Sequence, residues 1–205
     1  MITHKRNYDI IELDTSEILR YAGVKTCDFE TQNLLNECLN LIPENISGKV
    51  CFAMLPLTVT EDIIDLGSFK ISSHDLQKNL SGCHSAIIFA ATAGIEFDRL
   101  IKTYGSISPS KALFLQSIGT ECVENVCNQF CRDIKKEQNK LGNTTMPRFS
   151  PGYGDLPLEL QTEIFKLLNC EKNIGVFLND SLLMTPSKSV TAIIGIKSKD
   201  LGDEN

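Results

Sequence analysis

The feature that most restricts the fold is one long helical pattern in the middle of the chain. Ser108 is a favourable N-cap, and Pro109 fits the first helical position, whose N–H has no intrahelical partner. The pattern continues to Lys140, just before Gly142, and predicts a helix of about 30 residues. Its apolar stripe consists of Leu115, Ile118, Cys122, Val126, Phe130 and Ile134. We therefore expect this face to pack against the core.

The opposite side of the predicted helix is polar. Its stripe consists of Glu121, Glu124, Asn128 and Arg132, which the pattern favours as a solvated face. Glu124 is also a candidate acid that faces a ligand. Near the end of the helix, lysines are interleaved with acids: Lys135, Lys136 and Lys140 with Asp133 and Glu137. This mixed cluster also predicts a solvated surface.

A continuous apolar run at residues 85–91 predicts a central strand that is covered on both faces. The run ends in Thr92, Ala93 and Gly94, and a helix is predicted after it at residues 96–104. Such a strand end can form the mouth of a ligand site, but this one lacks a GxGxxG or Walker fingerprint. Tight packing of the helix on the strand is the simpler interpretation.

The remaining patterns alternate between short strands and short helices. Strands are predicted at residues 50–59, 63–64, 69–71, 174–178, 181–184 and 190–196, and helices at residues 15–22, 29–42, 72–81 and 158–168. Residues 1–13 suggest a strand or an arm around Ile10 and Ile11, and residues 143–147 suggest a loop. The sequence thus predicts an α+β fold, a single domain with a twisted antiparallel sheet of meanders and hairpins, one long helix and flanking helices. We expect the domain to span residues 1–197, and residues 198–205 to be a disordered polar tail.

Charge and hydropathy narrow the possible partners. The 205 residues carry a net charge of −6, which argues against nucleic acid as the main partner because a phosphate backbone requires a basic surface. No apolar run reaches the length of a membrane helix. The first six residues are not followed by the apolar segment of a secretory signal. We therefore expect a cytoplasmic protein whose partners include neither a membrane nor nucleic acid.

Eight cysteines are an unusual number for such a chain: Cys27, Cys38, Cys51, Cys83, Cys122, Cys127, Cys131 and Cys170. Without a secretory signal a disulfide framework is not expected. Cys127 and Cys131 lie four residues apart on one helical face, a spacing that can hold a metal ion. No fourth ligand is visible nearby, and buried thiols that act as small apolar side chains are the favoured interpretation.

The segment at residues 147–155 is the strongest candidate site. Arg148 precedes a turn that contains Pro151, Gly152 and Gly154, and glycine allows another group to approach the backbone closely. The planar guanidinium of Arg148 suits a carboxylate or a phosphate, and Tyr153 adds a flat face with one hydroxyl. The alternative is a surface turn with Arg148 in a structural ion pair. Motifs such as GxSxG, HExxH and Walker A are absent from the sequence, and nothing identifies a nucleophile with its base.

The turn Arg148-x-x-x-Gly152-Tyr153 resembles the RxxxGY signature of the activation domain of cobalamin-dependent methionine synthase. Further on, Ile174-Gly175-Val176-x-Leu178 and the segment from Ser181 through Met184-x-Pro186 to Ser189-Val190 resemble the end of that domain. The similarity covers about residues 85–196. The turn combined with the Met-x-Pro-x-x-Ser-Val strand is a fairly specific pair of motifs.

This resemblance implies a binding site for S-adenosylmethionine. By analogy Arg148 would hold the carboxylate of the ligand, and the backbone at Ser150 and Gly152, together with Tyr153, would line the groove. Glu124 lies near an acidic position of the family. Ile194, with Ile193, stands where the family has an aromatic pair that helps to hold the ligand. Thr185 replaces a tryptophan that is common in the family.

The resemblance also implies a function and partners. In the family, bound S-adenosylmethionine methylates an inactive cobalamin, and flavodoxin or a similar donor supplies an electron. A chain without its own cobalamin module would assist in trans a methionine synthase or related corrinoid protein that holds the cobalamin, and would not be a complete enzyme. One alternative is a docking or scaffold module without ligand binding, and another is an unrelated small-anion binder or enzyme.

Overall fold

The long helix lies across one face of an antiparallel sheet, and these two elements form the centre of the fold. The computed structural model describes residues 2–10, 13–44, 46–61 and 63–199. In chain order the elements are β1 (His4–Asp9), α1 (Thr15–Tyr21), α2 (Phe29–Leu39), β2 (Ser47–Pro56), β3 (Thr58–Val59), β4 (Ile64–Asp65), β5 (Lys70–Ile71), α3 (His74–Asn79), β6 (Ser85–Thr92), α4 (Glu96–Gly105), α5 (Pro109–Lys140), β7 (Asn143–Thr145), α6 (Leu160–Leu168), α7 (Cys170–Ile174), β8 (Phe177–Leu178), β9 (Met184–Thr185) and β10 (Ser189–Ser198).

The main sheet has β6 at its centre, as the apolar run predicts. In the described part of the chain its order is β1-β2-β6-β10-β7, and every neighbouring pair is antiparallel. Almost every residue of β6 is buried, because both faces of the strand are covered. The β3-β4-β5 meander and the β8-β9 hairpin form two small additional sheets. The predicted α+β class is confirmed.

Different helices cover the two faces of the main sheet. α5 packs on one face, with α1, α2 and α4 packed around it. α3, α6 and α7 cover the other face. Successive side chains of a strand point to opposite faces, so Ile194 of β10 lies in the α5 layer and Ile193 lies in the opposite layer.

α5 has the predicted bounds and the predicted buried stripe. The hydroxyl of Ser108 accepts a hydrogen bond from the N–H of Lys111 at 3.4 Å, and all six apolar stripe positions are buried. The prediction of a solvated face is wrong at Glu121, which is only 7% exposed. α1 packs over Glu121, and the N–H of Asp14 donates to the Glu121 carboxylate at 3.4 Å. Burial raises the pKa of Glu121.

Neither α5 nor any other helix among the described residues is long and apolar enough to cross a membrane.

Several local predictions differ from the structure; the strand predicted at residues 181–184, for example, is reduced to the two-residue β9. The predicted loop at residues 143–147 contains β7, which pairs with the end of β10. Ile174, predicted in a strand, ends the short helix α7, and Gly175 follows with a φ of 71°. The predicted strand at residues 50–59 stops at Pro56, and the chain continues in the small meander. Proline explains the last difference, because it has no N–H to continue a strand ladder.

The C-terminal end of the chain is more ordered than predicted where it is described. Ser198, assigned to the polar tail, belongs to β10 and pairs with Asn143. Residues 200–205 of the predicted tail lie outside the described residues. Near the N-terminus the strand is β1, which ends before Ile10, and Ile11 lies outside the described residues.

The cysteines act mainly as apolar side chains. All eight lie in the described ranges and are free thiols; Cys38, Cys51, Cys122, Cys127 and Cys170 are buried. Burial raises the pKa of Cys122 to about 12, so this thiol is protonated at neutral pH. Within residues 2–10, 13–44, 46–61 and 63–199, no three His, Cys, Asp or Glu residues lie close enough to hold a metal ion.

Candidate ligand-binding site

The turn at residues 147–155 is fixed to the sheet by backbone hydrogen bonds. The N–H of Phe149 donates to the carbonyl of Ile193 at 2.9 Å, and the N–H of Ile193 donates back at 2.8 Å. Gly152 has a φ of 89°, a region that favours glycine, and its N–H donates to the carbonyl of Leu156 at 2.9 Å. The path of the chain after Arg148 is therefore set by β10 and by the turn itself.

Asp155 ties the far end of this turn to the first residues of α3. Its carboxylate accepts hydrogen bonds from the hydroxyl of Ser73 at 2.5 Å, the N–H of His74 at 2.6 Å and the N–H of Asp75 at 3.2 Å. The bond from Ser73, followed by those from the backbone, lowers the pKa of Asp155. No local pattern indicates this link, because α3 precedes the turn by some eighty residues.

We expect the Asp155→Asn variant to be less stable than the wild type near pH 7 and to lose that difference in acid. The pKa of Asp155 is lower in the folded protein, so the unfolded chain binds the proton first as the pH falls. The contribution is fully present above the unfolded-state pKa of about 3.9 and is lost as the pH falls through the folded-state value. Urea unfolding of both proteins across this range measures the difference. A difference that does not change with pH would contradict the role of the carboxylate, and Asp180→Asn is a control at an exposed site.

The turn forms one wall of a pocket of about 550 Å³. This volume lies in the usual range for small-molecule sites, about 300–1,000 Å³. α1 contributes Arg20 and Tyr21, α5 contributes Thr120 and Glu124, the turn contributes Arg148 to Pro151 and Tyr153, α6 contributes Gln161, and the β9-β10 segment contributes Met184, Ser189, Val190 and Thr191. Elements that are distant in sequence therefore meet at one concave surface.

Arg148 and Glu124 form an ion pair in this pocket. Nη2 of Arg148 donates to Oε2 of Glu124, and the two side chains are 24% and 29% exposed. Burial lowers the pKa of Arg148, but the neighbouring Cys127, Glu124 and Cys131 outweigh it, and the pKa is raised overall. The guanidinium is thus charged at every accessible pH. The ion pair expected in the structural interpretation is present, and both of its members also line the pocket.

Three buried polar atoms around the pocket have no hydrogen-bond partner among the described residues. They are Nη1 of Arg148, Oε1 of Gln161 and Oγ1 of Thr191. A buried polar group without a partner costs about 1–3 kcal/mol, and such groups are rare in native proteins. Together they provide a cation, an acceptor and a hydroxyl, the set of groups that binds a polar molecule with a carboxylate and hydroxyls.

The structure brings most of the predicted site residues together. Arg148, Ser150, Tyr153 and Glu124 all line the pocket, and Gly152 shapes the turn between them. Ile194 does not reach this pocket: it is 2% exposed, packs in the α5 layer and lines a neighbouring cavity. The residues of β10 that reach the pocket instead start at Ser189, nearer the beginning of the strand.

α1 provides a wall that sequence reasoning missed. The guanidinium carbon of Arg20 lies 4.4 Å from the ring centre of Tyr21, and Glu17 fixes Arg20 through an ion pair of 2.5 Å. The stacked pair gives the pocket a flat, partly aromatic side. Nothing local marks these residues, since α1 reaches the pocket only by packing on α5. The position of Thr120 in the pocket could have been predicted from the sequence, because Thr120 lies one helical turn before Glu124 on the same face of α5.

The fold and the pocket define a class: an α+β protein with a polar, ligand-sized pocket beside an antiparallel sheet. Residues 75–200 match the family model described as vitamin B12 dependent methionine synthase, activation domain. That match covers more than half of the chain, so the chain belongs to this family. A search of curated protein sequences finds no match.

Comparison with solved structures supports the same fold. The chain is similar to a crystal structure of the MetH reactivation domain bound to AdoHcy, with a TM-score of 0.68 and 14% sequence identity. The alignment covers 95% of this chain and 78% of that one. At this identity the similarity establishes the fold alone.

Proposed function

We propose that this chain binds S-adenosylmethionine in the Arg148 pocket. Membership of the activation domain family supports the proposal, and the similar MetH domain is bound to AdoHcy, the demethylated form of that ligand. The observation that carries it is the set of unpartnered polar atoms on Arg148, Gln161 and Thr191. An amino-acid carboxylate suits the guanidinium, and ribose hydroxyls suit the other two atoms.

The charges of the pocket match the remaining groups of such a ligand. Glu124 provides a carboxylate for the amino group or the sulfonium, both of which are cationic. Tyr21 and Tyr153 provide flat faces for the base. Ser150 belongs to the turn that lines the pocket; its carbonyl already accepts a hydrogen bond from the N–H of Tyr153 at 3.2 Å, so its N–H and hydroxyl are the groups proposed to contact the ligand. We retain Arg148, Ser150, Gly152, Tyr153 and Glu124 as the proposed site, and assign Ile194 a packing role.

The wider role follows from the ligand. We propose that the chain, in the cytoplasm, assists reactivation of a cobalamin-dependent methionine synthase or related corrinoid methyltransferase in trans. The partner would hold the cobalamin and supply its metal chemistry, and a flavodoxin-like protein or another donor would supply the electron. This chain would bind S-adenosylmethionine and orient it, which is the usual contribution of a protein to cofactor chemistry.

Calorimetric titration of Thr191→Val with S-adenosylmethionine tests the site directly. Valine has almost the same shape but lacks the unpartnered hydroxyl, so we expect affinity to fall by about 0.5–1.5 kcal/mol, or two- to twelvefold. The free energy of unfolding of the free protein should stay the same or rise. Ser85→Ala is the matched control, because Oγ of Ser85 is also buried and unpartnered but lies outside the pocket. Unchanged affinity in Thr191→Val would show that this hydroxyl does not bind the ligand.

Exposed apolar side chains at the rim favour a docking role as the second candidate. Tyr153 is 70% exposed, and Leu183, next to Met184 of the pocket, is 63% exposed. If the wild-type chain binds neither S-adenosylmethionine nor S-adenosylhomocysteine but still binds the cobalamin module of a methionine synthase, the docking role replaces the ligand-binding one.

A further inference from the structure

A second cavity lies on the other side of Arg148. It has a volume of about 330 Å³ and lies between α5 and the segment that connects β7 to the turn. Arg148 contributes to both cavities. The charged residues that line the second one are Arg132, Lys135 and Arg148, and no aspartate or glutamate lines it. Asn128 and Thr145 add polar groups to its wall.

Acidic and basic side chains that alternate in the sequence near the end of α5 lie on different sides of the helix. Glu137 turns towards β1, where its carboxylate accepts a hydrogen bond from Arg6 at 2.9 Å. Asp133 lies near Tyr8 of β1, whose pKa is raised mainly by burial and also by the charge of Asp133. Arg132 and Lys135 lie on the side of the cavity. The predicted mixed, solvated cluster is therefore two surfaces, and the one around the cavity is purely cationic.

Two of the three cations of this cavity have no acidic partner. Neither Arg132 nor Lys135 forms an ion pair within the described residues. Arg148 uses Nη2 for Glu124, and its Nη1 is buried without a partner. Arg132 and Lys135 repel each other beside the ion-paired Arg148, and such a concentration of positive charge is unusual in a chain with a net charge of −6. A bound anion would remove the repulsion and satisfy the buried N–H groups.

We propose that this cavity is a second ligand site, which binds a doubly charged oxyanion of the phosphate class. Two guanidinium groups and one ammonium offer several donors that match the tetrahedral oxygens of phosphate. A carboxylate carries one charge and leaves the surplus of positive charge in place. Both proposals involve Arg148, but Arg132 and Lys135 line only the second cavity, so a test that changes these two residues separates this proposal from the first.

Titration of the full chain with inorganic phosphate at constant ionic strength tests this site. We expect saturable binding that falls at least about tenfold in the double variant Arg132→Gln/Lys135→Gln, since a charge-assisted hydrogen bond contributes that much or more. The matched control is Lys136→Gln/Lys140→Gln, which removes two exposed charges from the same helix outside the cavity. Its affinity should stay within about twofold of the wild type. Acetate at the same concentration should not compete.

The results of this titration distinguish free phosphate from a phosphate ester, and a specific site from a general effect of net charge. Glycerol phosphate that binds more tightly than phosphate would identify the ligand as a phosphate ester of a larger molecule, and equal or weaker binding would identify free phosphate. Equal loss in both double variants would show a general effect of net charge and overturn the proposal. The absence of saturable binding up to roughly 10 mM phosphate would also overturn it.

Discussion

Replacing Arg148 with alanine should weaken the binding of S-adenosylmethionine by more than tenfold. The guanidinium lines the pocket, remains charged, and holds a buried Nη1 that has no partner among the described residues. A hydrogen bond to a charged group contributes about 1.5–3 kcal/mol, which is roughly a 10- to 150-fold change in affinity. Calorimetry with the wild type and the variant measures the change. The loss should be of similar size for S-adenosylhomocysteine, because the two ligands share the amino-acid carboxylate.

Two further variants determine what such a loss means. Arg148→Lys keeps the charge but loses the planar fork, so its affinity should lie between those of the wild type and the alanine variant. Arg99→Ala removes an equal charge from an exposed ion pair on α4, away from the pocket, and should change affinity by less than about twofold. Near-wild-type affinity in Arg148→Ala, with the fold intact by circular dichroism, would exclude Arg148 as a ligand-binding residue.

Gly48→Ala should be among the most destabilising single substitutions in this chain. Gly48 lies in β2 where the strand crosses α5, and a Cβ there would overlap Cγ2 of Val126. It would also lie 2.9 Å from Cγ1 of Val126 and 3.1 Å from the carbonyl oxygen of Thr92. The valine has one preferred rotamer in a helix and the carbonyl belongs to the central strand, so neither can move easily. We expect a loss of about 1–3 kcal/mol or more in the free energy of unfolding.

A matched glycine and a compensating change sharpen this test. Gly105 ends α4 with no atom within 4 Å of an added Cβ, so Gly105→Ala should be neutral or slightly stabilising. Val126→Ala removes the overlapping methyl groups, so the double variant with Gly48→Ala should lose less stability than the sum of the single changes. Chemical denaturation of the wild type and the four variants measures these differences. If Gly48→Ala behaves like Gly105→Ala, β2 does not approach Val126 of α5 closely enough for a Cβ to overlap it.

Some of the fold is determined by local patterns. The bounds of α5 could be predicted because Ser108 and Pro109 mark its start and six apolar residues repeat at helical spacing. The central position of β6 could be predicted because only a strand covered on both faces needs a continuous apolar run. The turn at Arg148 was recognisable because arginine followed by closely spaced glycines is difficult to explain by packing alone.

Other features depend on contacts that local patterns do not encode. Glu121 and Glu124 lie three residues apart on one polar stripe, yet α1 covers Glu121 whereas Arg148 pairs with Glu124. Neither partner is within twenty residues of its glutamate, so no periodicity could distinguish them. β7 was predicted as a loop because three polar residues carry no strand pattern, and only the edge of β10 provides their hydrogen bonds.

The long helix, the central strand and the arginine turn could be predicted from the sequence, because each is specified by neighbouring residues. Which side chains share a pocket was set by tertiary packing. This packing brought Arg20 and Tyr21 of α1 to the turn, and placed Ile194 in the core although its strand continues from the pocket. The reason is that the direction of a side chain depends on strand register and helix packing, and these are set by the burial of the whole core at once.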